Sequence, residues 1–195
     1  KARARSISGA CFDLPTQNKC AILSLNSFVG HTPAQGSSTI PATRSRHLMY
    51  IELHCHSHYS LLDGASSPQA LLDRAAELGY PALALTDHNG LYGAIPFYLA
   101  ARERGIRPII GAEVTLAAGN HLVLLARDRQ GYANLCALLS QGGLAGQKRQ
   151  PALPWEALAG RSRGLIALSG CERGAVARLL LADRHREARE LAGRC

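Results

Sequence analysis

Downstream of residue 48 the chain alternates short, uniformly apolar runs with longer segments whose apolar residues recur at helical spacing. The runs are Leu83-Ala84-Leu85-Thr86, Pro108-Ile109-Ile110, Leu122 to Ala126 and Leu165-Ile166-Ala167-Leu168-Ser169, with Tyr50-Ile51-Glu52-Leu53 ahead of them. Brief runs bounded by Gly and Pro read as buried strands of a parallel sheet. Between them, Ser67-Pro68 supplies an N-cap and a first helical position. Leu71, Leu72, Ala75, Ala76 and Leu78 then form an apolar stripe, and Gly79 closes the helix. A second helix is predicted around Tyr92 to Arg104, ending before Gly105, and a third around Tyr132 to Leu139, ending near Gly142-Gly143. Gly146 to Pro154 is polar and Pro-flanked, which predicts a surface loop. Alternating strand and helix signals favour βαβ units and an α/β fold of about five or six strands.

Potential metal ligands gather where these runs end. His54-Cys55-His56-Ser57-His58 follows the first run, and in an extended segment residues i and i+2 point the same way. His54 and His56 can therefore offer two imidazoles to one cation, while Cys55 points away and packs. Imidazole with nearby carboxylate suits zinc or manganese. Asp63, Asp87-His88, Glu113 and Cys171 come further along, mostly just past a predicted strand. In α/β barrels such positions converge on the face that carries the active site. His121 differs, because it opens a strand instead of closing one.

The stretches His54-Cys55-His56-Ser57, Ser60-Leu61-Leu62-Asp63-Gly64, Ala84-Leu85-Thr86-Asp87-His88 and Gly111-Ala112-Glu113 resemble the motifs of the PHP (polymerase and histidinol phosphatase) superfamily. Gly131-Tyr132-Ala133-Asn134-Leu135 and Ser169-Gly170-Cys171-Glu172-Arg173-Gly174-Ala175-Val176 resemble the amino-terminal PHP domain of bacterial DNA polymerase III alpha-type subunits, closest to the error-prone branch. The resemblance implies a distorted (β/α)7 barrel, incomplete here, because residues 49–195 fall short of the roughly 200–250 that a complete α/β barrel needs. It implies a divalent metal cluster, zinc or manganese, held by His54, His56, Asp63, His88, Glu113, His121 and Cys171. It also implies DNA and the remaining polymerase domains as partners, and a bacterial cytoplasmic setting. The resemblance also implies a final Asp-x-His ligand pair and a polymerase palm, which it does not match within these residues.

Each candidate also has a plain structural reading. Asp63 in Leu-Asp-Gly is either a turn former or a ligand. Asp87 is either a ligand or a partner that orients His88 or a neighbour. Glu113 ends a buried strand, where an unpaired carboxylate is costly, so a metal or a cation beside it is expected. A lone Cys after a strand is commonly a small buried residue; the resemblance makes Cys171 a ligand. His121 is either a surface residue or a ligand. His58 stands where relatives carry a small polar or acidic residue and is read as structural. His31, His47 and His185 lie outside the motifs.

Charge and cysteine usage alter this picture little. The net charge is +8, but Lys1, Arg3, Arg5, Lys19, Arg44 and Arg46 against Asp13 place +5 in residues 1–48 and leave +3 for the rest. A mildly basic domain is compatible with nearby DNA without demonstrating it. Three Phe and one Trp give no evident stacking platform for single strands. Six cysteines without Cys-x-x-Cys spacing fit a reduced setting. No apolar run approaches the ~18 residues of a membrane span. Residues 1–48 match no part of the family; Met49 is the chain's only methionine, so they are expected to be an irregular extension or a gene-call artefact, with a targeting peptide as the alternative.

Three functions follow from the resemblance. The first is the PHP region of an error-prone, polymerase III alpha-like DNA polymerase, with metal-dependent phosphoesterase or 3′–5′ exonuclease activity. The second is a free-standing PHP phosphoesterase. The third is a non-catalytic structural module of the polymerase. An unfinished barrel is also expected to expose strand edges, which invite association.

Overall fold

The computed structural model describes Ile22–Leu23, residues 50–147 and residues 150–194. Expectations for residues 1–48, other than Ile22–Leu23, lie outside the described residues. The strands are β1 (Ile22–Leu23), β2 (Ala82–Leu85), β3 (Arg107–Thr115), β4 (His121–Ala126) and β5 (Leu165–Leu168). The helices are α1 (Pro68–Glu77), α2 (Ala94–Glu103), α3 (Arg129–Ala145), α4 (Trp155–Gly160), α5 (Ala175–Leu181) and α6 (His185–Arg194). The strands form one open sheet in the order β1-β5-β4-β3-β2, the mixed α/β architecture of an unclosed barrel.

The sheet is mixed and not parallel throughout. β2 and β3 are parallel, joined by α2, but β3–β4 and β4–β5 are antiparallel. For β3–β4 the cause is loop length. Only Leu116 to Asn120 separate β3 from β4, whereas a parallel crossover needs roughly a dozen residues. Gly119, at φ 77°, turns this hairpin, and the Leu116 N–H donates to Asn120 O at 2.9 Å.

The predicted first strand is also corrected. Residues 50–56 form no regular strand, yet they run beside β2: Ala84 N–H donates to Glu52 O and Thr86 N–H to Cys55 O, each at 2.9 Å. Two residues of β2 thus span three of the partner segment, a bulge-like extra residue that breaks the ladder.

The first two helices form as their sequences predict. The Ser67 hydroxyl accepts from Ala70 N–H at 3.1 Å to cap α1, with Pro68 at its first position. Leu72, Ala75, Leu83, Leu85, Phe97 and Ala101 form the layer between α1, α2 and β2, with Cys55 packed against its side. Fully buried Leu72 and Phe97 each contribute roughly 1.5–3 kcal/mol. Helix α3 is longer than predicted and runs through both Gly142 and Gly143. A Cβ on Gly142 would lie 3.4 Å from that of Leu153, an ordinary contact, so this face of the helix packs directly on the leucine. Leu153 is buried and fastened on both sides, its N–H to Thr115 O and its C=O to Ala117 N–H, so the expected surface loop is partly core. Ala112, Val114, Leu122 and Leu124 pack under α3 on one face of the sheet. Ala84, Val123, Leu125 and Leu168 cover the other, from which Glu113 projects.

Candidate metal centre

Chain reversal at β3–β4 assembles the site. In an antiparallel pair the start of one strand lies where its neighbour ends, and Thr115 pairs with His121. Glu113 lies opposite Val123, so His121, two residues along β4, is its diagonal neighbour on the same face. The strand-opening histidine thereby joins Glu113 near the end of β3 and His88 in the loop after β2. His88 follows β2 and bridges to Glu113.

Six of the proposed ligands meet here. His54 Nε2 and His56 Nε2 lie 3.1 Å apart, and Glu113 Oε2 lies 2.5 Å from the first and 3.6 Å from the second. His56 Nδ1 is 2.6 Å from Asp63 Oδ2, which is 2.8 Å from His88 Nε2. His88 Nδ1 is 3.2 Å from Glu113 Oε1, and His121 Nδ1 contacts the same oxygen. Three overlapping groups result: His54–His56–Glu113, His56–Asp63–His88 and His88–Glu113–His121. Each Glu113 oxygen faces a different pair of imidazoles, as a carboxylate bridging two cations would. Glu113 forms the buried floor, while Asp63 is half exposed on the solvent side.

Electrostatics set this cluster apart from ordinary ion pairs. Burial raises the Glu113 pKa, but close contact with the His54 and His56 imidazoles outweighs it and holds the carboxyl well below the usual range. Glu113 in turn raises His56, against its burial, and Asp63 adds to the rise. His88 and His56 hold Asp63 below its ordinary value. Glu113 Oε2 nevertheless accepts no aligned hydrogen bond among the described residues, despite its closeness to His54. Leaving a buried carboxylate oxygen so placed costs about 1–3 kcal/mol or more. Three lone-pair atoms converging on one point require a proton or a cation between them. The donor set of imidazoles and carboxylates fits a divalent cation.

Asp87 takes no part in the ligand groups. It is buried and accepts hydrogen bonds from Ser57 N–H at 2.7 Å, Ser57 Oγ at 2.8 Å and Ser60 Oγ at 2.7 Å. Ser60 Oγ also accepts from His88 N–H at 3.1 Å. Asp87 thus fixes the loop that carries His56 and Asp63 to the end of β2, and reaches His88 only through Ser60. Cys171 joins none of the three groups either. Its turn is fastened to His121, whose N–H donates to Arg173 O at 3.1 Å, while its sulfur accepts from Arg173 N–H at 3.4 Å. His58 is exposed, its ring 4.5 Å from that of Tyr59.

Sequence inspection missed a second clamp. Asn89, at φ 50°, donates through Nδ2 to Thr115 Oγ1 at 3.0 Å and accepts from Thr115 N–H at 2.8 Å. Asn89 N–H also donates to Glu113 O at 2.8 Å, so the loop after His88 is locked to the end of β3. The signal was the Asn89-Gly90 pair, a dipeptide suited to left-handed backbone.

An open α/β sheet gathers four histidines around a buried glutamate, a set of side chains that could hold a divalent metal ion. Residues 52–195 match the PHP domain, and the chain belongs to that family. It is 45% identical over 163 residues to the error-prone DNA polymerase of Symbiobacterium thermophilum, covering 75% of this chain and 15% of that protein. With the DNA polymerase III subunit alpha of Chlamydia trachomatis it shares 40% identity over 148 residues, 69% of this chain and 12% of the relative. The chain therefore spans only about an eighth of the length of these polymerases and is homologous to their PHP region. Among solved structures, an amidohydrolase from Chromobacterium violaceum aligns with a TM-score of 0.38 at 37% identity, over 48% of this chain and 34% of that one.

Proposed function

We propose that this chain is the amino-terminal PHP region of an error-prone, polymerase III alpha-like DNA polymerase of the bacterial cytoplasm. Its centre binds zinc or manganese and hydrolyses phosphoesters at the 3′ end of single-stranded DNA. Residues 49–195 form the first part of the PHP domain, and residues 1–48 are an extension to it whose Ile22–Leu23 adds β1 to the edge of the sheet beside β5. The observation that carries the reading is Glu113, buried, ionised and bridging two imidazole pairs without an aligned partner for Oε2. DNA and the remaining polymerase domains are the proposed partners, from the names of the relatives.

His54 and His56 would hold one cation with Glu113 Oε2, and His88 and His121 another with Oε1, while Asp63 completes the group on the solvent side. Bound divalent cations supply an activated water and offset charge on a phosphoryl oxygen. The chain's own contribution is orientation. Asp87 and Asn89 fix the loops, and the antiparallel turn brings His121 to Glu113. Because the cluster also ties together residues 54–63, β2, β3 and β4, a purely structural metal is the second reading.

Incubating the chain with 3′-labelled single-stranded DNA and with p-nitrophenyl phosphate, with and without manganese or zinc, tests this function. Metal-dependent release of the terminal nucleotide supports it. Hydrolysis of the small ester alone would instead favour a free-standing phosphoesterase, and bound metal without hydrolysis a structural module.

A further inference from the structure

We infer that Asn89 is the positioning residue for one half of the metal centre. It aligns His88 and His121 for the second cation and leaves the His54–His56 half to other contacts. This role rests on the two-cation reading of Glu113 and deepens it. Asn89 belongs to none of the three ligand groups, so it acts through the backbone that carries them.

Asn89 extends the β2–β3 ladder beyond the point where the chain leaves it. β2 and β3 pair from Ala82 with Arg107 to Leu85 with Ile110, and His88 bridges to Glu113. The next residue, Asn89, turns away in left-handed backbone at φ 50°, a conformation that Asn tolerates better than most side chains. Its N–H still reaches Glu113 O at 2.8 Å. Its carboxamide then stands in for the peptide group that a longer strand would offer. Oδ1 accepts from Thr115 N–H at 2.8 Å, and Nδ2 donates to Thr115 Oγ1 at 3.0 Å.

Thr115 passes this restraint to His121. The two residues are paired across β3 and β4, and the adjacent ladder bond runs from Leu116 N–H to Asn120 O. They are therefore a non-hydrogen-bonded pair, in which the side chains lie closest together. Thr115 N–H is taken by Asn89, and His121 N–H donates to Arg173 O at 3.1 Å. Without the carboxamide, both the end of β3 beside His121 and the loop after His88 lose their fastening.

The His54–His56 half shares none of these bonds. His54 N–H donates to Glu52 Oε1 at 3.0 Å, Cys55 N–H to Thr86 Oγ1 at 3.0 Å and Ser57 N–H to Asp87 Oδ1 at 2.7 Å. Glu113, common to both halves, is held separately, its N–H shared between Thr86 O at 3.3 Å and Asp87 O at 3.1 Å.

The test is a zinc titration of the full chain, followed through the imidazole nitrogen resonances of each histidine. Asn89→Gly keeps the left-handed backbone and removes the carboxamide. His88 and His121 should then need about tenfold more zinc, the order expected for losing two neutral hydrogen bonds, while His54 and His56 respond as in the wild type. Asn89→Asp still accepts from both Thr115 groups and should recover most of the loss. Thr115→Val removes only Oγ1 and should shift the same two rings by less, which covers the case of an unfolded Asn89→Gly. Wild-type zinc dependence at His88 and His121 in Asn89→Gly, an equal shift at all four rings, or no recovery in Asn89→Asp would each overturn the assignment. A wild-type chain whose four rings respond together to a single zinc equivalent would instead remove the two-cation reading, before any variant is compared, and this role with it.

Discussion

The buried Asp87 carboxylate holds Ser57 twice, through its backbone N–H at 2.7 Å and its hydroxyl at 2.8 Å. This relationship governs where the His56 imidazole stands, because Ser57 is the next residue. Asp87→Asn turns part of an acceptor surface into a donor facing two hydroxyls and an N–H. Loss of about 1–3 kcal/mol of stability is expected, read by urea denaturation, together with weaker metal binding in equilibrium dialysis. Wild-type stability and affinity would show that the loop is held by other contacts.

Two glycines of α3 should respond oppositely to the same substitution. Gly131→Ala forces a Cβ into the backbone of Gly164 and should destabilise the chain by roughly 1–3 kcal/mol. Gly143 is exposed in the helix interior with open space around it, so Gly143→Ala should stabilise by about 0.5–1 kcal/mol. Thermal melts of the two variants decide both.

Much of this was legible in the sequence, for specific reasons. The apolar runs located β2 to β5 because a strand buried on both faces leaves no polar position. They could not give strand direction, which the five-residue β3–β4 connection decides, so only the family resemblance, and not the pattern, put His121 with Glu113. The candidate ligand positions were legible as motifs, and six of the seven meet in space, with Cys171 outside the groups that the others form. Gly142 and Gly143 suggested a helix end, whereas α3 continues because packing of Leu153 against Gly142 outweighs weak propensity. Helices α4, α5 and α6 were not anticipated; α5 buries no residue and α6 is dominated by charge, so neither carries a strong apolar stripe.

Stability of the metal-free chain should peak in mild acid. Glu113 is held below its ordinary 4.5, so its contribution is present above that value and is lost as pH falls toward its folded pKa. His56 is raised above its ordinary 6.5, so its contribution is complete below 6.5 and is lost as pH rises through its folded pKa. The melting temperature without metal should therefore be highest between those two ordinary values. Ligation needs deprotonated imidazole, so the rise in melting temperature on adding zinc should grow from pH 6 to pH 8. Scanning calorimetry at matched ionic strength checks both trends.

Glu113 and its four histidines are proposed to form a metal centre. Elemental analysis of the purified chain after zinc or manganese loading and dialysis, beside Glu113→Gln, tests it most directly. At least one tightly held divalent ion per chain is expected in the wild type, and its loss in the variant, with the fold retained. A metal-free wild type, or a Glu113→Gln variant that keeps its full metal content, would contradict it.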